Sequence, residues 1–319
     1  MSYLELFQAT TLSVLSQAWE RRPLADARVA TVVIGYLHPV RSQAPITPFF
    51  RAARNNDVPC MRHFLEQDVD PDTTNREQET ALEVSARHPD FALSQLLISY
   101  GARPSTWIIL KAIYANNERL FRWALSEYPL LEDHDGGAQV LYAAVSYAAV
   151  PMTREILLAG VNPNNSTNPL HKAVSFNNAA LIKVLLEGNA NPHFLQASRR
   201  SALHLACADA KYNAAQLLIA GGGNVHFLTP RRETCLHLAV LSREDNRPII
   251  HLLIDQKVDV NAADVEGNTP LHFALRVRKR MRTTTRCLVE AKADVHQANH
   301  RGDSPLTLAL IKNLSVFNL

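Results

Sequence analysis

Four histidines, His171, His204, His237 and His272, stand 33, 33 and 35 residues apart. Two have cysteine neighbours, as His204-x-x-Cys207 and Cys235-x-His237. Imidazole and thiolate are zinc ligands, and structural zinc gathers four of them in a tetrahedron. Against zinc stands the spacing itself. Each histidine is the fourth residue of a hexapeptide: NPLHKA (168–173), SALHLA (201–206), TCLHLA (234–239) and TPLHFA (269–274). Repeat phase therefore accounts for all four, and ligands one repeat apart do not converge on an ion. No metal and no cofactor is expected. Cys207 and Cys235 fall at small or apolar places, where a thiol packs as a small hydrophobe.

Other catalytic sets are missing. The sequence holds no Gly-x-Ser-x-Gly elbow, no phosphate loop and no glycine fingerprint between a strand and a helix. Gly221-Gly222-Gly223 reads as a turn, and Asp133 and Asp135 fall in a loop. No enzyme is expected. Binding chemistry is richer. HFLQASRR (193–200) and HFLTPRRE (226–233) are near-copies one repeat apart. They offer Phe194 and Phe227, then Arg199, Arg200, Arg231 and Arg232. Aromatics and arginines dominate binding hot spots, and Arg grips carboxylates in a two-point geometry. A third feature is basic. Arg276, Arg278, Lys279, Arg280, Arg282 and Arg286 lie within eleven residues that hold no acid. Cations near a helix C-terminus are favoured by its dipole. A surface for an acidic partner or a nuclear-import signal is the functional alternative. Direct nucleic-acid binding is not expected, because no groove-reading module is present and the run carries no stacking aromatics.

The elements that position these residues repeat. The hexapeptide recurs as SPLTLA (304–309), more weakly as TPFFRA (47–52) and TALEVS (80–85), and by phase alone as WIILKA (107–112) and AQVLYA (138–143). Its last residue falls at 52, 85, 112, 143, 173, 206, 239, 274 and 309, in steps of 27 to 35. A second phrase alternates with it: LLISYGARP (96–104), ILLAGVNP (156–163), LLEGNANP (185–192), LLIAGGGNV (217–225), LLIDQKVDV (252–260) and LVEAKADV (288–295). Each unit thus has a capped helix start, an apolar face, a second helix ending in paired Leu, and a glycine or polar stop. Proline after the Ser or Thr suits the first helical position. Gly101, Gly160 and Gly188 suit a C-cap of positive φ. One such helix pair cannot bury its own apolar face, whereas stacked pairs share a continuous core.

Hexapeptide and Leu-pair phrase together resemble the ankyrin repeat family, over roughly residues 45–319. The resemblance implies an all-α solenoid of stacked helix–turn–helix units with projecting β-hairpin fingers. It implies that the histidines are structural ties. It also implies a protein partner lying across the fingers and inner helices, near Lys172, Phe176, Asp209, Tyr212, Arg243 and Arg276. Residues 45–160 depart most from the pattern, 161–319 follow it, and the 27-residue step implies a shortened helix or finger. The last unit is incomplete.

The termini and the totals add expectations. Leu4, Leu6, Phe7, Leu12, Leu15 and Trp19, then Val29 to Leu37, predict a helical N-terminal cap over 1–44. A small recruiting domain of the F-box type is the alternative, without its usual Leu-Pro opening. At the other end Val316, Phe317 and Leu319 are left apolar and uncovered. Residues 1–160 carry 14 Lys/Arg against 18 Asp/Glu, net −4, and 161–319 carry 19 against 12, net +7. That asymmetry steers an acidic partner to the second half. Four widely spaced cysteines form no disulfide framework and predict a reducing compartment, cytoplasm or nucleus. No signal peptide is expected, since Glu5 interrupts the first apolar stretch, and no 18-residue apolar run spans a membrane. The leading expectation is a non-catalytic scaffold, monomeric by itself, that holds a protein partner. A substrate receptor of a ubiquitin ligase, recruiting through either end, is one rival. A biosynthetic enzyme with a pocket lined by Trp107, Tyr114, Trp123, Tyr142 and Tyr147 is another, though the ordinary place for such aromatics is the core.

Overall fold

The computed structural model describes residues 46–128, 136–165, 167–242, 244, 246–276 and 281–311. The expected N-terminal cap over 1–44 and the apolar C-terminal residues 312–319 lie outside them. The described residues form two compact units, one ending at Ala124 and the other beginning at Leu125. The change in repeat regularity read from the sequence falls later, at 160.

In the first unit α1 (Ile46–Arg54), α3 (Ala81–Ser85) and α5 (Thr106–Tyr114) pack in one row. Beside them lie α2 (Val58–Glu66) and α4 (Ala92–Ser99), and α6 (Glu118–Glu127) straddles the division. In the second unit the inner row is α7 (Gly136–Ser146), α9 (Pro169–Ser175), α11 (Ala202–Ala208), α13 (Cys235–Val240), α15 (Pro270–Arg276) and α17 (Pro305–Ile311). The outer row is α8 (Val150–Leu158), α10 (Ala179–Glu187), α12 (Tyr212–Ala220), α14 (Arg247–Asp255) and α16 (Met281–Glu290). In the second unit each inner helix from α7 to α15 packs on the outer helix that follows it, and each row packs helix against helix.

The inner helices start where the sequence places a hydroxyl. Thr80, Ser201 and Thr234 take extended backbone and accept from the amide three residues on. The turn to the outer helix is equally regular. Asn56, Asn116, Ala148, Asn177 and Ala210 adopt left-handed φ of 52–55°. The next amide then returns to the repeat alanine: Asp57 to Ala52, Asn117 to Ala112, Ala149 to Ala144, Asn178 to Ala173 and Lys211 to Ala206, at 2.8–3.2 Å. This bond shifts one unit by a residue. Its alanine is Ala144, not Ala143, and Tyr142 then occupies the place that histidine holds in later inner helices. Without a proline or histidine to mark it, the sequence leaves that phase open.

The links that follow outer helices explain the 27-residue step. Gln67–Thr80, Gly188–Ser201, Gly221–Thr234, Gln256–Thr269 and Ala291–Ser304 each have 14 residues, whereas Tyr100–Ser105 has six. The finger is what is lost, and α5 keeps its nine residues. The expected fingers are tight turns. Amides of Asn75, Gln196, Thr229, Asp264 and Asn299 donate to the carbonyl four residues on, at 2.9–3.1 Å. Among the described residues the one pairing of strand type is the isolated bridge between Thr74 and Thr80.

Gly101 and Gly160 have the expected positive φ, 91° and 89°. Gly188 does not, and Asn189 turns left-handed in its stead at 64°. Space is tight at 188, where a Cβ would meet Leu157 Cδ1 of the preceding outer helix at 2.7 Å and that leucine would have to shift. The core lies between the rows. Leu181, Ile182, Leu185, Leu203, Leu218, Leu236, Ile250 and Leu253 are fully buried, each worth roughly 1.5–3 kcal/mol against exposure.

Candidate functional site

The four histidines are buried and each bridges two units. Nε2 of His171, His204, His237 and His272 lies 3.0–3.1 Å from the carbonyls of Arg200, Phe227, Asn268 and Asp303, all in the following finger. In the last three, Nδ1 accepts the backbone N–H of Ser201, Thr234 or Thr269 at 3.0–3.3 Å. Acceptance at Nδ1 puts the ring proton on Nε2, which then donates to the carbonyl. Burial holds His171 and His237 below the ordinary imidazole value, against the pull of those carbonyls. Burial, aided by Arg200, takes His204 down to about 4. Glu83 does the same work in α3: it accepts from the Thr80 amide and from Ser105 Oγ at the head of the next helix, both at 3.2 Å.

Cys60, Cys207 and Cys287 are held in the thiol form. Burial and Asp57 push Cys60 up to about 11, and Cys207, fully buried, is raised by Cys235 and by burial. Among the described residues no three His, Cys, Asp or Glu side chains gather to hold a metal ion.

The finger arginines divide into two kinds. Arg200 meets Glu233 of the next finger at 3.7 Å, and Arg231 meets Glu266 at 3.5 Å, where Arg301 joins from the finger beyond at 3.8 Å. The pairs of Arg231 and Arg301 are exposed and of small net value, whereas Glu233 is buried and Arg200 half-buried. Arg199 and Arg232 are exposed, and no ion pair holds them among the described residues. Both sit at left-handed φ, 54° and 59°, where the next two fingers have Gly267 and Gly302 at 77° and 83°. Phe194 and Phe227 are half-buried, and Phe227 meets His204 edge-on with centroids 6.1 Å apart. Much of each ring therefore packs under its own finger.

The inner helices present a second set of groups. Lys172 of α9 lies over two rings, 4.9 Å from the centroid of Phe176 and 5.6 Å from that of Tyr142 on α7. Beside it opens a groove of about 350 Å³ between the inner helices and the finger, with Ser175, Gln196, Ser198 and Leu205 on its walls. The sequence offered Lys172 and Phe176 together, four residues apart as helical neighbours are, and offered Tyr142 separately, with nothing to announce that it joins them.

Several expected residues fall elsewhere. Tyr212, exposed, begins the outer helix α12 and is no part of an inner helix, and Asp209 pairs with Lys211 at 2.6 Å. Arg276 is the exposed last residue of α15. Arg282 and Arg286 lie on α16, where Arg286 pairs with Glu290 at 2.8 Å. Arg243, Arg278, Lys279 and Arg280 lie outside the described residues. Trp107, Tyr114, Tyr142 and Tyr147 were expected in the core and are exposed instead. They stand on, or just past, the inner helices α5 and α7.

A description of ankyrin repeats, three copies long, matches residues 141–227, 170–264, 203–298 and 236–319, together more than half of the chain. The chain belongs to the ankyrin repeat family. No curated protein matches it. Among solved structures it is similar to the ankyrin repeat domain of Bcl-3, described as a unique member of the IkappaB protein family. The TM-score is 0.51 and the identity 23%, over 55% of this chain and 81% of that one, a likeness of fold. Ankyrin repeats are generally protein-interaction modules. Among the described residues no helix is long and apolar enough to cross a membrane.

Proposed function

We propose that the chain is a non-catalytic interaction scaffold. Its inner-helix and finger face in residues 161–319 holds a protein partner, with Phe194, Arg199, Arg200, Phe227, Arg231 and Arg232 at the centre. The observation that carries this reading is the pair Arg199 and Arg232. Each keeps a long charged side chain at a left-handed position that the first finger gives to Gln78, at 60°, and the next two fingers to glycine. A non-glycine residue there costs roughly 1–2 kcal/mol, and strain of that kind persists where a side chain is needed. Both head groups face solvent, so the need is not internal. The net +7 of this half supports an acidic partner surface.

The test is affinity capture from the native host with the intact chain, its quadruple variant Arg199→Ala/Arg200→Ala/Arg231→Ala/Arg232→Ala, and an outer-row control, Arg154→Ala/Lys183→Ala. The expected result is one set of partners that survives in the control and is lost in the quadruple variant, with unchanged circular dichroism. The same partners recovered by all three would refute the assignment.

A further inference from the structure

We propose that the groove beside Lys172 seats an acidic side chain, Asp or Glu, of an extended peptide segment in the partner. This rests on the scaffold reading above and names the chemistry at one of its subsites.

Lys172 is half-buried at the groove wall, its ammonium held over the faces of Phe176 and Tyr142 at 4.9 and 5.6 Å. Ring faces attract a cation but do not neutralise it. Among the described residues no acid pairs with it, although lysines elsewhere do find one: Lys111 meets Glu79, and Lys211 meets Asp209. No Asp or Glu lines the groove, whose walls otherwise carry the hydroxyls of Tyr142 and Ser198 and the amide of Gln196, while the Thr167 and Ser175 hydroxyls already donate to Asn165 Oδ1 and the Lys172 carbonyl. The neighbouring His171 brings no second charge. Burial holds it below the ordinary imidazole value, and its Nε2 is engaged by the Arg200 carbonyl at 3.1 Å. The site therefore presents one positionally fixed cation with hydroxyl and amide groups around it.

The rings fix the geometry further. Clamped between two aromatics thirty-four residues apart, the long side chain has little rotamer freedom left to lose on binding. Leu205 and the outward part of Phe176, 48% exposed, give an apolar footing for residues flanking the acid. A groove of about 350 Å³ suits one side chain and its backbone neighbours, and not a folded domain. A carboxylate entering it makes a charge-assisted hydrogen bond in a partly desolvated place.

The experiment is selection of a random peptide display library on the full chain, on Lys172→Met and on Lys172→Glu. The expected result for the natural chain is enriched peptides with Asp or Glu at one fixed position. Lys172→Met should lose that preference, with synthetic peptides weakened roughly 10- to 100-fold. Lys172→Glu should exchange it for Lys or Arg at the same position. Enriched peptides with no fixed acidic position, or the same preference in Lys172→Glu, would overturn the groove assignment and leave the scaffold standing. So would acidic peptides that bind without positional preference and wash off in moderate salt. No enrichment over the bare support would overturn the groove assignment too, and the affinity capture described above then decides the scaffold reading by itself.

Discussion

Lowering the pH should loosen the repeats through the same histidines that tie them. His204 is fully buried, and its imidazole titrates at about 4 in the folded chain against 6.5 when free. The unfolded chain therefore binds the extra proton first. His204's contribution is fully present above 6.5 and is lost as pH falls from there toward 4. Between about pH 7 and about pH 5 this single residue removes about 2 kcal/mol of stability. His171 and His237, also held down by burial, act with the same sign. Glu79 stays out of this window: burial raises it, but Lys111, Asn75 and Arg87 outweigh burial and hold its carboxyl below 4.5. Urea unfolding followed by far-ultraviolet circular dichroism should show the midpoint drop by about 1 M or more over the interval, for a slope of about 2 kcal/mol per molar. In His204→Gln the drop should be smaller by about 2 kcal/mol. An equal drop in both proteins, with the His204 ring titrating near 6.5 by NMR, would refute the reasoning.

Three further outcomes follow from the turns. Arg232→Gly should raise stability by about 0.5–1 kcal/mol, since relief of the left-handed strain exceeds the entropy glycine loses; a lower melting temperature would contradict it. Gly267→Ala should cost about 1–3 kcal/mol, because its φ is 77° and a Cβ would lie 2.9 Å from the His300 amide that donates to the Glu266 carbonyl; chemical denaturation measures it. Asn246→Ala should cost about 1–3 kcal/mol, because this buried amide donates to the Ala239 carbonyl at 3.1 Å and accepts from Thr284 at 3.3 Å; an unchanged urea midpoint would show that the bond contributes nothing.

The fold was legible because one phrase does several jobs. In TPLHFA the Thr begins the helix, the Pro takes its first position, the Leu is fully buried in the core, and the His reaches the next unit. A string with so many constraints resists drift, and its period survives reading. Where those constraints lapse, reading slips. In AQVLYA neither proline nor histidine fixes the phase, and only the Ala149-to-Ala144 bond supplies it. The aromatics of α5 and α7 were assigned to the core because hydropathy reports what a side chain prefers, not whether a finger covers it. Arg200 and Arg231 were read as open hot-spot groups, but their carboxylate partners stand 33 and 35 residues away, on the next finger. Tyr142 is similarly brought to Lys172 by stacking, which sequence neighbours do not announce.

The histidine tie points one way along the chain. Each ring donates forward, into the finger that follows, and none donates backward. A cut made just after an outer helix therefore orphans the buried ring N–H of the last histidine in the piece that keeps the N-terminal side, while every histidine of the other piece keeps its carbonyl. Fragments of this chain should accordingly stay folded when shortened from the front at a unit boundary. Shortened from the back, they should hold only when the break falls beyond a finger, such as after Asp303, and fray into the last helix pair when it falls before one.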